Sequence, residues 1–465
     1  MTQDANSNAA PANEGAGTEG KHPLDAIFHP RAVALVGVPS GESQGASLGF
    51  FTSLLEQGFH ERLNHGLYPV NPKADEIRGF KAYHSLLETP DPVDHVISLI
   101  PARAVPMLVE QAIQKKVRSI HFFTAGFSET GDEEMANLER TMVEKLTAAG
   151  IRVLGPNCMG LYVPYEGLAF MNQFPKEPGN VMFVSQSGAN AGDVVRGLGN
   201  RGVRFSKVIS FGNGSDLRAH HFFDYAITDD ETDLVTSYIE GVQDGPKFLT
   251  ALKALARVKP VILLKGGLTG AGALMERSDS EVEAMVAVNL LGVVHGTRAA
   301  LSTMLPRNHG RILNVASLAG WGPVPNIALY SATKNAVRAF SVAADAEIGS
   351  DSVRIQCLLP DGIATPMVDV SDPRHVMSFT GKRLLDPNEV ALAALELLSG
   401  NRPVASVPHR RGAVVRVLSL FPSAARPLKA RIESRARSNQ QRAISDMADP
   451  ASVARPNESE KRPSG

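Results

Sequence analysis

An α/β fold built on parallel sheets is what this 465-residue sequence predicts, and two observations carry the prediction. From Ala32 to Arg354, short apolar runs alternate with stretches long enough for one helix each, the rhythm of repeated βαβ units. The runs are also rich in Val and Ile and bounded by Gly, Pro or Ser, as strands buried on both faces of a parallel sheet are. In order they read AVALVG, DHVISLIP, SIHFFTAG, IRVLGPN, NVMFVSQSG, KVISFGN, LVTSYIEG, PVILLKGG, RILNVAS and VRIQCLL. Residues 105–117 and 248–258 have the length of single crossover helices. The Pro- and Gly-bearing patch 164–179 reads as a separator between two domains. In such folds ligand sites are expected at the carboxyl ends of strands.

Composition narrows the function classes. Hydrophobic content of 43% and charged content of 20% are ordinary for a globular protein. A formal net charge of -1 argues against broad electrostatic binding of nucleic acid or anionic membrane. Cys158 and Cys357 are the two cysteines, too few for a disulfide framework, so a cytoplasmic location is expected. No apolar run reads as a transmembrane segment, and the first twenty residues lack a signal-peptide core. Residues 1–21, rich in Ala, Asn and Gly, read as disordered. Residues 409–465 read as a short helix and a flexible, Arg-rich, solvated tail. The helix at 412–421 is apolar enough to pack on a neighbouring subunit, which would make the chain a homo-oligomer.

The first strand, AVALVG, runs into a small-residue turn containing Gly37 and Ser40, where backbone N–H groups can approach a phosphate. Three further motifs follow at strand ends: Tyr68-Pro69-Val70-Asn71-Pro72-Lys73, Gly126-Phe127-Ser128-Glu129-Thr130-Gly131 and Gly155-Pro156-Asn157-Cys158-Met159-Gly160. In this order and spacing, residues 23–267 resemble the coenzyme-A-binding part of NDP-forming acyl-CoA synthetases, relatives of the succinyl-CoA synthetase α subunit. The resemblance implies coenzyme A or an acyl-CoA as ligand. Gly37, Ser40, Asn71, Pro72 and Lys73 would hold its nucleotide end, with Glu129 and Asn157 towards the pantetheine and thiol. Cys158 reads as a packed small residue rather than a nucleophile.

VMFVSQSGANAGDVV opens the next segment, with Ser187 and Gly188 between a strand and a helix, a natural phosphoryl cradle. In the resembled family this helix end faces a phosphohistidine, supported by an acidic residue matching Glu240. The family carries that histidine in a Ser-His-Thr-Gly segment after the strand matching PVILLKGG. Here the chain continues Leu268-Thr269-Gly270-Ala271-Gly272-Ala273, with no histidine until His295. The ATP-grasp domain that makes the phosphohistidine is not in this sequence either; a separate ATP-grasp subunit is the partner the resemblance implies. Ligase chemistry is therefore expected to be lost.

Beyond Gly267 the motifs change. Asn289 lies in one helical stretch, Ser317 ends a strand, Tyr330-Ser331-Ala332-Thr333-Lys334 opens another helix, and Pro360-Asp361-Gly362-Ile363-Ala364-Thr365 ends a further strand. Tyr330 and Lys334, four residues apart, share a helical face. The ammonium is expected to lower the pKa of the phenol and make it a proton donor and acceptor near neutral pH, with Ser317 holding a carbonyl or alcohol oxygen beside it. Residues 267–408 resemble the catalytic half of short-chain dehydrogenases/reductases. That resemblance makes Tyr330 the acid/base, Lys334 its partner and ribose ligand, Ser317 the substrate-orienting hydroxyl, Asn289 the support of a relay water and Thr365 a nicotinamide contact. NAD(P) is the implied cofactor, yet the family's Thr-Gly-x-x-x-Gly-x-Gly turn and Asn-Asn-Ala-Gly strand end are absent.

The sequence thus divides into 1–21, a Rossmann-like coenzyme-A-binding domain at 22–165, a flavodoxin-like segment at 178–267, a partial dehydrogenase at 268–408 and 409–465, with the seam at 265–268. Segments 178–267 and 268–408 are expected to share one three-layer α/β/α domain of hybrid origin, its parallel sheet continuous across the seam. One extra strand would then displace the glycine turn from Tyr330 by about 5 Å. The favoured reading is a protein that binds coenzyme A or acyl-CoA. The alternatives are an NAD(P)-dependent oxidoreductase acting on a carbonyl, alcohol or CoA-linked substrate, and a gene fusion with no function as a unit.

Overall fold

A computed structural model describes residues 22–41, 45–62, 65–265, 274–322, 324–364, 373–381, 383–421, 423 and 425–448. Residues 1–21, the stretch 266–273 that holds most of the seam, and Thr365 lie outside the described residues. The fold has two compact units: the chain up to Tyr238 together with Val258–Leu263, and Ile239–Arg257 together with the chain from Leu264 onward.

The first unit holds two five-stranded sheets. Strands β1 (Ala32–Val36), β2 (Gly66–Val70), a two-residue hairpin β3 (Glu76–Ile77) and β4 (Phe80–Lys81), β5 (His95–Ser98), β6 (Ser119–Phe122) and β7 (Arg152–Leu154) come first. The sheet order is β2-β1-β5-β6-β7, every pair parallel. An isolated parallel bridge from Val70 to Tyr83 stands outside β2, where a Rossmann fold has its third strand, so the order is that of a mononucleotide-binding sheet. Every residue of β1, β5 and β6 is buried, which is why these runs read as unbroken apolar strings. Helices α1 (Asp25–Phe28), α2 (Ala46–Glu56), α3 (Val105–Lys115) and α4 (Glu133–Ala148) accompany them. Asp132 caps α4 by accepting the Glu134 N–H at 2.8 Å.

The second sheet contains β8 (Gly160–Tyr162), β9 (Val181–Ser185), β10 (Phe205–Ser210), β11 (Leu234–Ile239) and β12 (Val261–Lys265) in the order β12-β11-β9-β10-β8. Counted from β9, this is the flavodoxin-like order 2-1-3-4 expected from the sequence, with β8 added antiparallel to β10. Helices α5 (Gly188–Gly199), α6 (Ala219–Thr228) and α7 (Gly245–Val258) intervene along the chain.

The patch 164–179 does more than separate the sheets. Ser53 of α2 and Gln57, its C-cap, donate to the carbonyls of Ala169 and Phe174 at 2.8 and 3.0 Å. On the other side, a Cβ added to Gly192 or Gly199 of α5 would come within 2.8 Å of Met171 or 2.9 Å of Pro175. Lys207 of β10, fully buried, is held by both Asp229 carboxylate oxygens at 3.0 Å and by Glu231 at 2.6 Å, near the rings of Phe28 and Tyr225. These contacts make the two sheets one folding unit.

In the second unit α8 (Asp279–Val286), a π-turn (Ala287–Leu291) and α9 (Gly292–Met304) form one helical run. Asp279–Met304, 26 residues, is long and apolar enough to cross a membrane by length and composition. In the sequence this stretch reads as a helix but not as a transmembrane segment, because polar residues interrupt its apolar runs. It packs against α10 (Ala328–Ile348) through α8 and the π-turn. A parallel three-stranded sheet follows, β13 (Gly310–Val315), β14 (Val353–Pro360) and β15 (Val404–Val407), in that order. The expected continuity across the seam is not met among the described residues: β12 pairs with β11, and β13 with β14. Ile262 and Leu264 of β12 are 59% and 51% exposed, the mark of an edge strand with one uncovered face rather than of a strand inside a doubly covered sheet.

Helices α11 (Pro387–Ser399), α12 (His409–Leu418) and α13 (Ala425–Ala448) complete this unit. Where a flexible tail was expected, α13 is docked. Ala436 is fully buried beside Val376 and Met377, and the Asn439 amide donates to the carbonyls of Phe379 and Gly381 at 3.0 and 2.6 Å.

Candidate functional site

In the first unit the motif loops leave the carboxyl ends of their strands, as a Rossmann-like order requires. Gly37 follows β1 with φ +99°, and a Cβ there would lie 2.8 Å from Ile100, so only glycine lets β1 and the β5 loop approach at the point where the strand order reverses. The Asn71 amide donates to the Val38 carbonyl at 2.8 Å while its oxygen accepts the Lys73 N–H at 2.8 Å. Asn71 therefore shapes the two adjoining loops. Pro72, Lys73 and Ser40 are exposed on them, and the Lys73 ammonium has no ion pair among the described residues. A coenzyme's phosphates fit this set: one free cation, glycine-permitted backbone approach, and strand ends at the switch point.

The other motifs converge with the second sheet. Glu129 accepts the Gly126 N–H at 2.6 Å and the Asn213 amide at 2.7 Å, and these bonds hold its carboxyl below the usual range although burial opposes them. Asn213 also reaches Glu139 at 3.3 Å and Ser128 at 3.4 Å, and its N–H donates to the Pro156 carbonyl at 3.0 Å. A Cβ on Gly212 would strike the Asn157 and Pro156 carbonyls at 2.3 Å. Asn157 itself is exposed, with φ +56°. The 126–131, 155–160 and 211–216 loops are thus tied into one knot, centred on a residue the sequence reading passed over. The Phe211-Gly212-Asn213-Gly214 turn after KVIS was the available signal.

Beyond the knot lies the start of α5. Ser187 caps the helix by accepting the Asn190 N–H at 3.5 Å, and the Ser185 hydroxyl donates to the Ser187 carbonyl at 2.7 Å. A Cβ on Gly188 would meet Met159 at 2.8 Å, and the Met159 N–H donates to Ser210 at 3.1 Å. The structure therefore brings Asn157 and its loop against Ser187 and Gly188. Cys158 is buried, and burial pushes its thiol far up, away from the reactive thiolate. His121 bonds the Cys158 carbonyl at 2.9 Å and lies near-parallel to His95. Burial drives both imidazoles down, His95 to about 3 with help from neighbouring His121, and His121 to about 4. Both are neutral supports of the loop.

The second unit assembles the other constellation. Ser317 lies near enough to the Tyr330 phenol to favour its ionised form, and Lys334 lies with its Nζ 5.6 Å from the Tyr330 ring centre, donating to the Val315 carbonyl at 3.3 Å. Asn289, buried in the π-turn, donates to Thr333 at 3.3 Å, and Thr333 donates to the Tyr330 carbonyl at 2.8 Å. All four described residues of the set come together. The expected depression of the phenol does not appear: desolvation raises Tyr330 above its usual value, Ser317 only partly opposing. Burial instead lowers Lys334, to about 8. The three strands of this sheet are followed by no glycine-rich pyrophosphate turn among the described residues. Nor do the described residues contain a group of three or more His, Cys, Asp or Glu placed to hold a metal.

Comparison with known families finds three matching segments. Residues 31–164 match a CoA binding domain, residues 178–289 a succinyl-CoA ligase like flavodoxin domain, and residues 248–375 a short chain dehydrogenase. The chain is thus similar to parts of two enzyme families. The ligase and dehydrogenase matches overlap over 248–289, an interval that contains the inferred seam. The chain is 37% identical over 251 residues to an ADP-forming acetate–CoA ligase of Archaeoglobus fulgidus, covering 54% of this chain and 36% of the relative. It is 35% identical over 251 residues to an ADP-forming acetate–CoA ligase II subunit alpha of Pyrococcus furiosus, covering 54% and 53%. An uncharacterized oxidoreductase of Staphylococcus saprophyticus is 30% identical over 138 residues, covering 30% of this chain and 56% of that one. The chain thus spans between about a third and just over half of these relatives. In fold it is similar to an apo dinucleotide-forming acetyl-coenzyme A synthetase 1 from Ca. Korarchaeum cryptofilum, with TM-score 0.50 at 21% identity, covering 90% of this chain and 99% of the other.

Proposed function

We propose that the chain binds coenzyme A or an acyl-CoA through its first unit, and that acid–CoA ligation is lost. The observation that carries this is the knot of the 126–131, 155–160 and 211–216 loops on Asn213, which sets the Asn157 loop against the Ser187–Gly188 helix start. A pantetheine arm laid from Lys73 towards Asn157 would end beside a helix N-terminus suited to an anion. The relatives named as ligases, and the alpha-subunit name of one of them, support an acyl-CoA ligand and a separate ATP-grasp partner. Loss of ligation is supported by the sequence after β12, which holds no histidine until His295. Isothermal titration with coenzyme A checks the first claim; no heat and no thermal-shift gain would sink it. ATP formation from acetyl-CoA, ADP and phosphate, with an ATP-grasp subunit supplied, would overturn the second.

The Ser317–Tyr330–Lys334–Asn289 set supports a second reading, an NAD(P)-dependent oxidoreductase acting on a carbonyl or alcohol, possible only if a dinucleotide is held by something other than a glycine turn of this sheet. NADPH oxidation present in the wild type and abolished in Tyr330→Phe would establish it. If neither coenzyme A nor NADPH activity is found, the gene-fusion reading stands, and sequencing across codons 258–276 tests whether the molecule exists.

A further inference from the structure

At the opposite end of the first sheet from the coenzyme loops, the first unit carries a cavity of about 560 Å³. Its walls come from the residues that lead into strands, with Arg31 before β1, Asp94 before β5 and Arg118 before β6, and from the end of α3. Four cations, Arg31, Lys115, Lys116 and Arg118, line it against two carboxylates, Asp91 and Asp94. The end of a helix accounts for two of the cations, since Lys115 and Lys116 complement the carbonyls of the last turn of α3. It does not account for the arginines, which belong to strand entries.

Asp94 explains how they are held. Its side chain is 5% exposed and takes the Arg31 Nε and Nη2 at 2.8 Å each, the Arg31 backbone N–H at 2.9 Å, and the Arg118 Nε at 3.2 Å. One bidentate arginine would satisfy this carboxylate. A second guanidinium leaves a surplus of fixed N–H donors, and both arginines remain about half exposed on the cavity side. Lys115 is locked by Asp91 at 3.0 Å, whereas Lys116 has no ion pair among the described residues. The remaining wall includes Leu87, Pro92 and Val93, an apolar surface beside the cationic rim.

We propose that this cavity is an anion site for a small organic phosphate, its phosphoryl group on Arg118, Arg31 and Lys116 and its apolar portion on Leu87 and Pro92. The site is distinct from the coenzyme site and does not depend on it. Planar forks orienting on phosphate oxygens, preset by a buried carboxylate behind them, are the arrangement that phosphate recognition favours.

Titration of the full chain with phenyl phosphate, with and without saturating coenzyme A, tests this. Phenyl phosphate is expected to bind in both conditions, while phenol gives no heat. Lys116→Glu, an exposed charge reversal outside the Asp94 cluster, should weaken binding about tenfold, as reversal of a unit charge at contact distance in a water-rich site would. Arg118→Gln should weaken it comparably; if that variant fails to fold, Lys116→Glu alone decides. No binding, displacement by coenzyme A, or unchanged affinity in Lys116→Glu overturns the proposal.

Discussion

The two units hold their candidate site residues in opposite ways. In the first, residues expected to touch ligand are bound into a scaffold: Glu129 has both oxygens engaged and Asn71 both ends of its amide, while Asn213 ties three loops around them. In the second, Ser317, Tyr330, Lys334 and Asn289 come together, but the sheet beneath them has three strands among the described residues. A binding site can survive on loops alone when every loop is cross-tied. A hydride-transfer site needs its chemistry and its cofactor cradle at fixed separation, because small misplacements cost large factors in rate.

The largest blow to this contrast should come from Lys207→Ala. It leaves Asp229 buried without its cation, costing about 3–5 kcal/mol. In urea, the circular dichroism of the first unit should then melt early while the emission of Trp321, the single tryptophan, in the second unit, keeps its midpoint. A common shift in both signals would mean that the units do not fold separately.

Acid should also act on the first unit. His95 and His121 are neutral when folded, with values near 3 and 4, whereas unfolded histidine titrates near about 6.5. The unfolded chain therefore binds more protons between these limits. The stability present above pH about 6.5 is lost as pH falls, reaching about 1.4 kcal/mol per histidine at pH about 5.5. Thermal unfolding at two pH values, repeated on His121→Gln, should show the slope and its partial loss; equal midpoints at both pH values in the wild type would contradict the assignment.

The smallest effect sharpens the comparison most. Asn213→Asp sets a third carboxylate beside Glu129 and Glu139, and coenzyme A affinity should fall about tenfold through displaced loops. Tyr330→Phe, in the other unit, should leave it unchanged. Coenzyme binding insensitive to Asn213→Asp would remove the knot from the site.

Much of this was readable from residues. The fully buried strands β1, β5 and β6 were visible as Val- and Ile-rich strings, and the flavodoxin-like order of β9–β12 followed from a recognisable segment. The site loops were visible as Gly–Asn and Gly–Pro–Asn turns. What escaped depends on contacts between residues far apart in the chain. The clasp at 164–179 rests on Gln57 reaching Phe174, 117 residues on, and composition alone made it a linker. The tail became α13 because Ala436 and Asn439 find partners near residue 379, although its own sequence is polar. The sheet break at β12 was hidden because a run such as PVILLKGG reads the same at an edge as in a centre. The Tyr330 shift differs from the expectation because burial, which no local pattern reveals, outweighs the opposing influence of Ser317.

The docking of α13 has a consequence for biosynthesis. The first unit is complete once Leu263 has been made, so it can reach its final form while the rest of the chain is still being translated. The edge of the second unit around Phe379 must wait for Asn439, sixty residues later, before its carbonyls are covered. A ribosome stalled in that interval would present one finished body and one with an open flank, the species on which chaperones and proteases would act first.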